Sequence, residues 1–142
     1  MSEIGMLAPM RRLTLEGAKR AGAAAEAEAA RNGWQISVVI VDHSATPLYA
    51  ARMSDAILAS YDGALKKAIT AFKFARPTKA LEDNIMKGRL HYLVFDDMLP
   101  VEGGLPIVVD GQVIGGIGIG GGPSGREAVG CAKAALRELR LD

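Results

Sequence analysis

Residues 111–122 read GQVIGGIGIGGG and follow a short apolar run, Pro106 to Val109, that ends at Asp110-Gly111. Seven of these twelve residues are glycine. Strand side chains alternate between two faces, so Val113, Ile117 and Ile119 are expected on one face and Ile114, Gly116, Gly118 and Gly120 on the other. Glycine weakens a strand interior, and a nearly bare face marks a place where another backbone, a helix or a flat ligand comes close. Two readings follow, a tightly packed helix or a ligand surface. The Asp-Gly pair supplies the positive φ angles of a two-residue turn, which makes 106–109 and 112–119 a hairpin. Because the glycines lie inside a hairpin strand and do not open a βαβ unit, the run is not a dinucleotide fingerprint.

Working outward, Ser124-Gly125-Arg126-Glu127 announces a last helix over about 125–139, with the serine capping forward and the glutamate back. Upstream, Leu15, Ala18, Gly22, Ala25 and Ala29 recur at helical spacing, with Thr14 as N-cap and Asn32-Gly33 as the stop. That small-residue face allows a close approach to a sheet. Residues 36–41 are apolar on both faces and predict a central strand, which a polar turn at 42–47 joins to a second strand, Leu48 to Ala51. A helix capped by Ser54 or Asp55 carries Ile57, Tyr61, Ala64, Leu65, Ala68 and Phe72 inward and stops before Arg76-Pro77. Thr78 then caps a short helix, Lys79 to Lys87, closed by Gly88. Tyr92 to Phe95 resembles a further strand, and 96–104 a loop.

A chain of 142 residues is about one domain, here a tail at 1–12 and a single domain at 13–142. Seventeen basic and sixteen acidic residues leave a net charge of +1, with no basic cluster to suggest nucleic acid. The longest apolar stretch, Ile36 to Val41, is too short to span a bilayer, and the N-terminus lacks a signal-peptide pattern. The expectation is a cytoplasmic protein with no membrane partner. The single Cys131 excludes an intrachain disulfide, and two separated histidines without acidic or cysteine clustering predict no protein-ligated metal site.

VVIVD at 38–42, ARM at 51–53, KAITA at 67–71, RPT at 76–78, GGLP at 103–106 and VDGQVIGGIGI at 109–119 occur in order. Together they resemble the GlcG/HbpS-like haem-degrading domain family over about residues 13–139. The resemblance implies an α/β (α+β) class, a profilin-like three-layer α/β/α sandwich around a five-stranded antiparallel sheet, and a homo-oligomer. It draws notice to Asp42, Arg52, Lys67, Arg76, Pro106, Gly111 and the glycines from Gly115 to Gly121. The family's axial histidines have no counterpart here, because no histidine precedes His43. Where the family carries small residues after Asp42, this chain has His43-Ser44-Ala45-Thr46, and the last helix starts with Arg126-Glu127 in place of an acidic pair.

Several side chains are suited to chemistry. Lys67 interrupts a helix among small neighbours, where partial burial lowers an ammonium pKa and makes an acid, a base or an electrostatic clamp. His43 and His91 suit proton transfer or iron ligation, and Asp42 with Arg52 is equally a structural ion pair or part of a catalytic group. Arg52, Arg76 and Arg126 can grip a carboxylate through their planar forks. Glycine amides at Gly116, Gly118, Gly120 and Gly121, beside the last helix start, offer an anion site. These residues support a small-ligand-binding protein whose cofactor is open, with haem or a related tetrapyrrole the ligand that the resemblance suggests. The alternative is a cofactor-independent isomerase, tautomerase or hydratase, in which an arginine holds an organic acid while Lys67, His43 or Asp42 moves the proton.

Overall fold

Thr14 starts the first helix as expected: its hydroxyl accepts the Gly17 amide at 3.0 Å, and α1 (Leu15–Arg31) ends at Asn32, with Gly33 at a φ of +74°. The computed structural model describes residues 5–140, so the outer ends of the expected tail and domain, residues 1–4 and 141–142, lie outside the described residues. After α1 come β1 (Ile36–Val41), β2 (Pro47–Arg52), α2 (Ala59–Phe74), α3 (Thr78–Met86), a 3-10 turn (Leu90–Val94), β3 (Gly104–Val109), β4 (Gln112–Gly121) and α4 (Gly125–Glu138). No helix among the described residues is long and apolar enough to cross a membrane.

The class is mixed α and β with an antiparallel sheet, but the sheet has four strands in the order β2-β1-β4-β3, where five were expected. The missing strand is Tyr92 to Phe95. Phe74 receives Tyr92 and Phe95 edge-on, at centroid distances of 5.8 and 5.2 Å. Two rings three residues apart share a side in a helix of three residues per turn, whereas in a strand they would face opposite ways. The aromatic cluster therefore selects the 3-10 conformation.

Two cores flank the sheet. On one face Ile36, Val38, Ile40, Leu105, Ile107, Ile117 and Ile119 pack on the alanines of α1 and on Ala128, Cys131, Ala132 and Ala135 of α4. On the other, Val39 and Val41 meet Ala64 and Ala68 of α2. β1 is buried on both faces, as its apolar run predicts. Ile114 departs from the alternation: Gly115 pairs with Ile107 but Val113 with Val108, so a bulge leaves Ile114 unpaired and turns it into the α1/α4 core.

The glycine face is taken by α2. A Cβ at Gly116, Gly118 or Gly120 would lie 2.3, 2.0 or 1.9 Å from the carbonyl oxygens of Ala68, Ala64 and Ser60 respectively. The helix backbone thus rests directly on the strand, and the packing reading of the glycine run holds. Ser60 Oγ donates to the Ile57 carbonyl at 2.6 Å, which leaves the Ser37 hydroxyl to donate to Ser60 Oγ at 2.8 Å. This buried pair pins the first turn of α2 to the centre of the sheet. α2 starts later than expected, at Ala59, with no side-chain cap from Ser54 or Asp55, and Ile57 is exposed in the preceding loop. Its buried side includes Lys67 and Thr70 as well as the small residues.

Candidate functional site

Lys67 is the buried member of the Lys66-Lys67 pair, 8% exposed on the side of α2 that faces the start of β3. Its Nζ donates to the Ile119 carbonyl at 3.0 Å. No carboxylate among the described residues reaches ion-pair distance of it. Burial pushes its pKa below the ordinary lysine range, against the opposing fields of Glu82 and Glu102. Gly103, at a φ of +135°, covers the amine so closely that a Cβ there would sit 2.7 Å from Nζ.

A strap over residues 98–104 roofs this amine. Leu99 N donates to Thr70 Oγ1 at 2.8 Å, Glu102 N to a Glu82 carboxylate oxygen at 2.7 Å, and Gly104 N to Thr78 Oγ1 at 2.9 Å. Thr78 is not the helix cap that its position in sequence suggested; α3 starts on it, and its buried hydroxyl holds the strap. The Ile119 amide, in turn, donates to the Gly103 carbonyl at 3.0 Å.

A cleft of about 330 Å³ opens at the end of the sheet where β1 begins and β4 ends, lined by Trp34, Gln35, Asp55, Ala56, Ile57 and Gly121 among others. Gln35 Oε1 accepts the Asp55 amide at 2.9 Å, and Arg52 donates to the Ala56 carbonyl at 3.1 Å. Arg52 thus braces a wall of the cleft through a backbone contact. Of the expected ligand-binding glycines only Gly121 lines this cleft. Gly116, Gly118 and Gly120 are covered by α2, which corrects their reading as a ligand surface.

The residues of the acid-binding alternative are not gathered. Arg52 pairs with Ser37 near the start of β1, whereas Asp42 and His43 follow its end, five residues and about 17 Å away along a strand. An Asp42–Arg52 ion pair is therefore not formed. Asp42 instead accepts the amide and hydroxyl of Ser44, at 2.9 and 2.6 Å. Partial burial alone would raise its carboxyl pKa, but these bonds, the Thr46 backbone and the nearby His43 together hold it below the ordinary range. Arg76 is exposed after α2, with its Nε 3.4 Å from the Phe74 carbonyl. Arg126 is exposed at the start of α4, where Ser124 donates to the Glu127 carboxylate in place of the expected capping bond to a backbone amide. That bond lowers the Glu127 pKa.

His91 lies on a different surface. It is exposed, and its ring leans on Tyr92 at a centroid distance of 4.2 Å. Tyr92 is buried and edge-on to Phe74. Around this histidine the same segment exposes Met86, Leu90, Leu93, Val94 and Phe95, with Leu93 at 59% and Val94 at 81%. Lys87 and Arg89 are exposed beside them. A concentration of large apolar side chains on one surface segment marks a binding face. His43, by contrast, sits in a polar turn with Asp42, Ser44 and Thr46.

Sequence reading missed Trp34, Gln35 and Asp55 of the cleft, and Thr70, Thr78, Glu82 and Glu102 around Lys67. The only tryptophan, placed just before the central strand, was a usable signal for the cleft. The strap contacts join residues 20 to 29 positions apart and left no local pattern.

A mixed α and β protein with an antiparallel sheet, a buried lysine and an apolar shelf around a histidine is the class defined so far. Residues 13–137 match the family described as "Haem degrading protein HbpS-like", and the chain belongs to this GlcG/HbpS-like family. Protein GlcG of Escherichia coli K12 is 38% identical over 98 residues, which cover 68% of this chain and 72% of GlcG. A crystal structure of a double mutant of Streptomyces reticuli HbpS superposes with a TM-score of 0.87 at 33% identity, covering 95% of this chain and 92% of that one. The crystal structure of a complex of PduOC with haem gives a TM-score of 0.83 at 30% identity, covering 92% and 96%.

Proposed function

We propose that this protein binds haem or a related tetrapyrrole as a small-molecule ligand. The observation that carries this reading is the haem complex of PduOC, similar to this chain over nearly its whole length. The side chains on the surface around residues 86–95 suit such a group. His91 offers an imidazole for an iron, Leu90, Leu93 and Val94 offer apolar cover for a flat macrocycle, and Lys87 and Arg89 offer cations for propionates. A bound haem would supply an iron centre able to change oxidation state. His91 is preferred to His43 as the ligand because the turn around His43 has no large apolar side chain. Of the other residues read from sequence, Gly121 lines the separate cleft and Arg52 braces it through the Ala56 carbonyl; at about 330 Å³ this cleft lies at the small end of ligand pockets.

A macrocycle has two faces, and a second copy of the chain is the cover proposed for the one turned to solvent. The exposed Met86, Leu93 and Val94 support this self-association.

Haemin titration followed by Soret absorbance tests the reading, with His91→Ala and His43→Ala beside the wild type. Saturable, near-stoichiometric binding that His91→Ala abolishes and His43→Ala leaves intact is expected. Weak binding that neither substitution alters would count against haem as the ligand.

A further inference from the structure

We propose that Lys67 is a carbonyl-capturing amine, which forms a reversible imine with a small aldehyde or ketone beneath the strap of residues 98–104. The proposal is independent of the haem reading, since Lys67 lies under the strap and not on the exposed segment around His91. It starts from what Lys67 lacks. A buried ammonium is ordinarily paired with a carboxylate, because a charge removed from water needs compensation. Lys67 is buried, yet its one hydrogen bond is to the Ile119 carbonyl. Such a site favours the neutral amine, the form that is nucleophilic. Burial lowers the ammonium pKa in the same direction.

Only small groups pack on the nitrogen. Ala64, Ala68 and Ala71 are its small neighbours along α2, Gly103 packs on the amine without a side chain, and Gly104 packs on the Lys67 backbone carbonyl. Glu82 and Glu102 lie close enough for their fields to act on the amine. Glu82 is already engaged by the Glu102 amide and by Lys79, whereas the Glu102 carboxylate makes no hydrogen bond or ion pair among the described residues. Glu102 is therefore the group to carry protons. Residues 98–103 join no strand; side-chain oxygens of Thr70 and Glu82 hold two of their amides, and the Ile119 amide holds the Gly103 carbonyl over the amine. Water can replace all three partners, so residues 98–103 can lift while the β3–β4 pairing from Gly104 onward stays whole.

In the reaction the Nζ lone pair adds to the carbonyl carbon and the carbonyl oxygen takes up a proton, giving a carbinolamine. Proton transfer to its hydroxyl releases water as the C=N bond forms. Water adds back to regenerate the amine. No electron is transferred, and no co-reactant beyond water and protons is needed.

The test is reductive trapping: the wild-type protein with acetaldehyde and cyanoborohydride at pH 7, sampled over time, digested and mapped by mass. The other six lysines, Lys19, Lys66, Lys73, Lys79, Lys87 and Lys133, are all exposed and serve as internal references. Lys67 is expected to be alkylated first and severalfold faster than any of them, because its neutral amine is the nucleophile. Thr70→Val, which removes one acceptor of the strap, is expected to raise the Lys67 rate further while leaving the other six unchanged. Labelling of Lys67 no faster than that of the exposed lysines overturns the proposal. A Lys67 rate indifferent to Thr70→Val overturns the role of the strap.

Discussion

At the scale of single residues, Lys67 costs the fold stability that an apolar side chain would not. Burying an ammonium without a carboxylate partner costs free energy that a well-packed apolar side chain does not. Lys67→Met should therefore equal or exceed the wild type in stability at pH 7, by urea denaturation. The pH dependence has a definite direction. The folded pKa of Lys67 lies below the ordinary value of 10.5, so between the two the unfolded chain binds more protons. Its contribution to stability rises with pH across that window. The wild type should gain on Lys67→Met as pH is raised toward 10, and parallel profiles for the two proteins would show that the amine is not desolvated.

At the scale of elements, the contact between α2 and β4 is the least forgiving in the molecule. At Gly118 a methyl group would approach the Ala64 carbonyl to 2.0 Å, and both atoms belong to backbones fixed by their own hydrogen bonds. Gly118→Ala is expected to destabilise by about 3 kcal/mol or more, at the upper end of overpacking effects. Gly130 in α4 is the control, since nothing lies near its missing Cβ. There alanine is expected to stabilise by about 0.5–1 kcal/mol, because glycine in a helix interior loses more backbone entropy. Denaturation midpoints that moved the same way for both substitutions would contradict the steric account of the glycine run.

At the scale of the whole molecule, the surface around His91 couples the two parts of the proposed function. Leu93→Glu combined with Val94→Glu is expected to lower haemin affinity and also to reduce the mass measured by light scattering to that of a single chain. His91→Ala is expected to lower haemin affinity alone. If the double substitution leaves the mass unchanged, self-association uses another surface or does not occur.

Local pattern in the sequence determined the four α-helices save the start of α2, the Asp-Gly hairpin, the two-sided burial of β1 and the family, because each is written in residues a few positions apart. Thr14, Asn32-Gly33 and the 36–41 run mark their elements through periodicity and capping. Lys67 was also legible, as a charge among small residues on a helix. Tertiary structure alone decided that Tyr92 and Phe95 turn together onto Phe74 and not into a fifth strand, and that a bulge moves Ile114 to the other face. It also decided that Asp42 and Arg52 lie at opposite ends of β1, and that Thr78 holds the strap over Lys67. Each of these depends on the register between strands, or on a contact between residues distant in the chain. The free energy of such contacts comes from packing that exists only once the layers have met, so no local pattern records it.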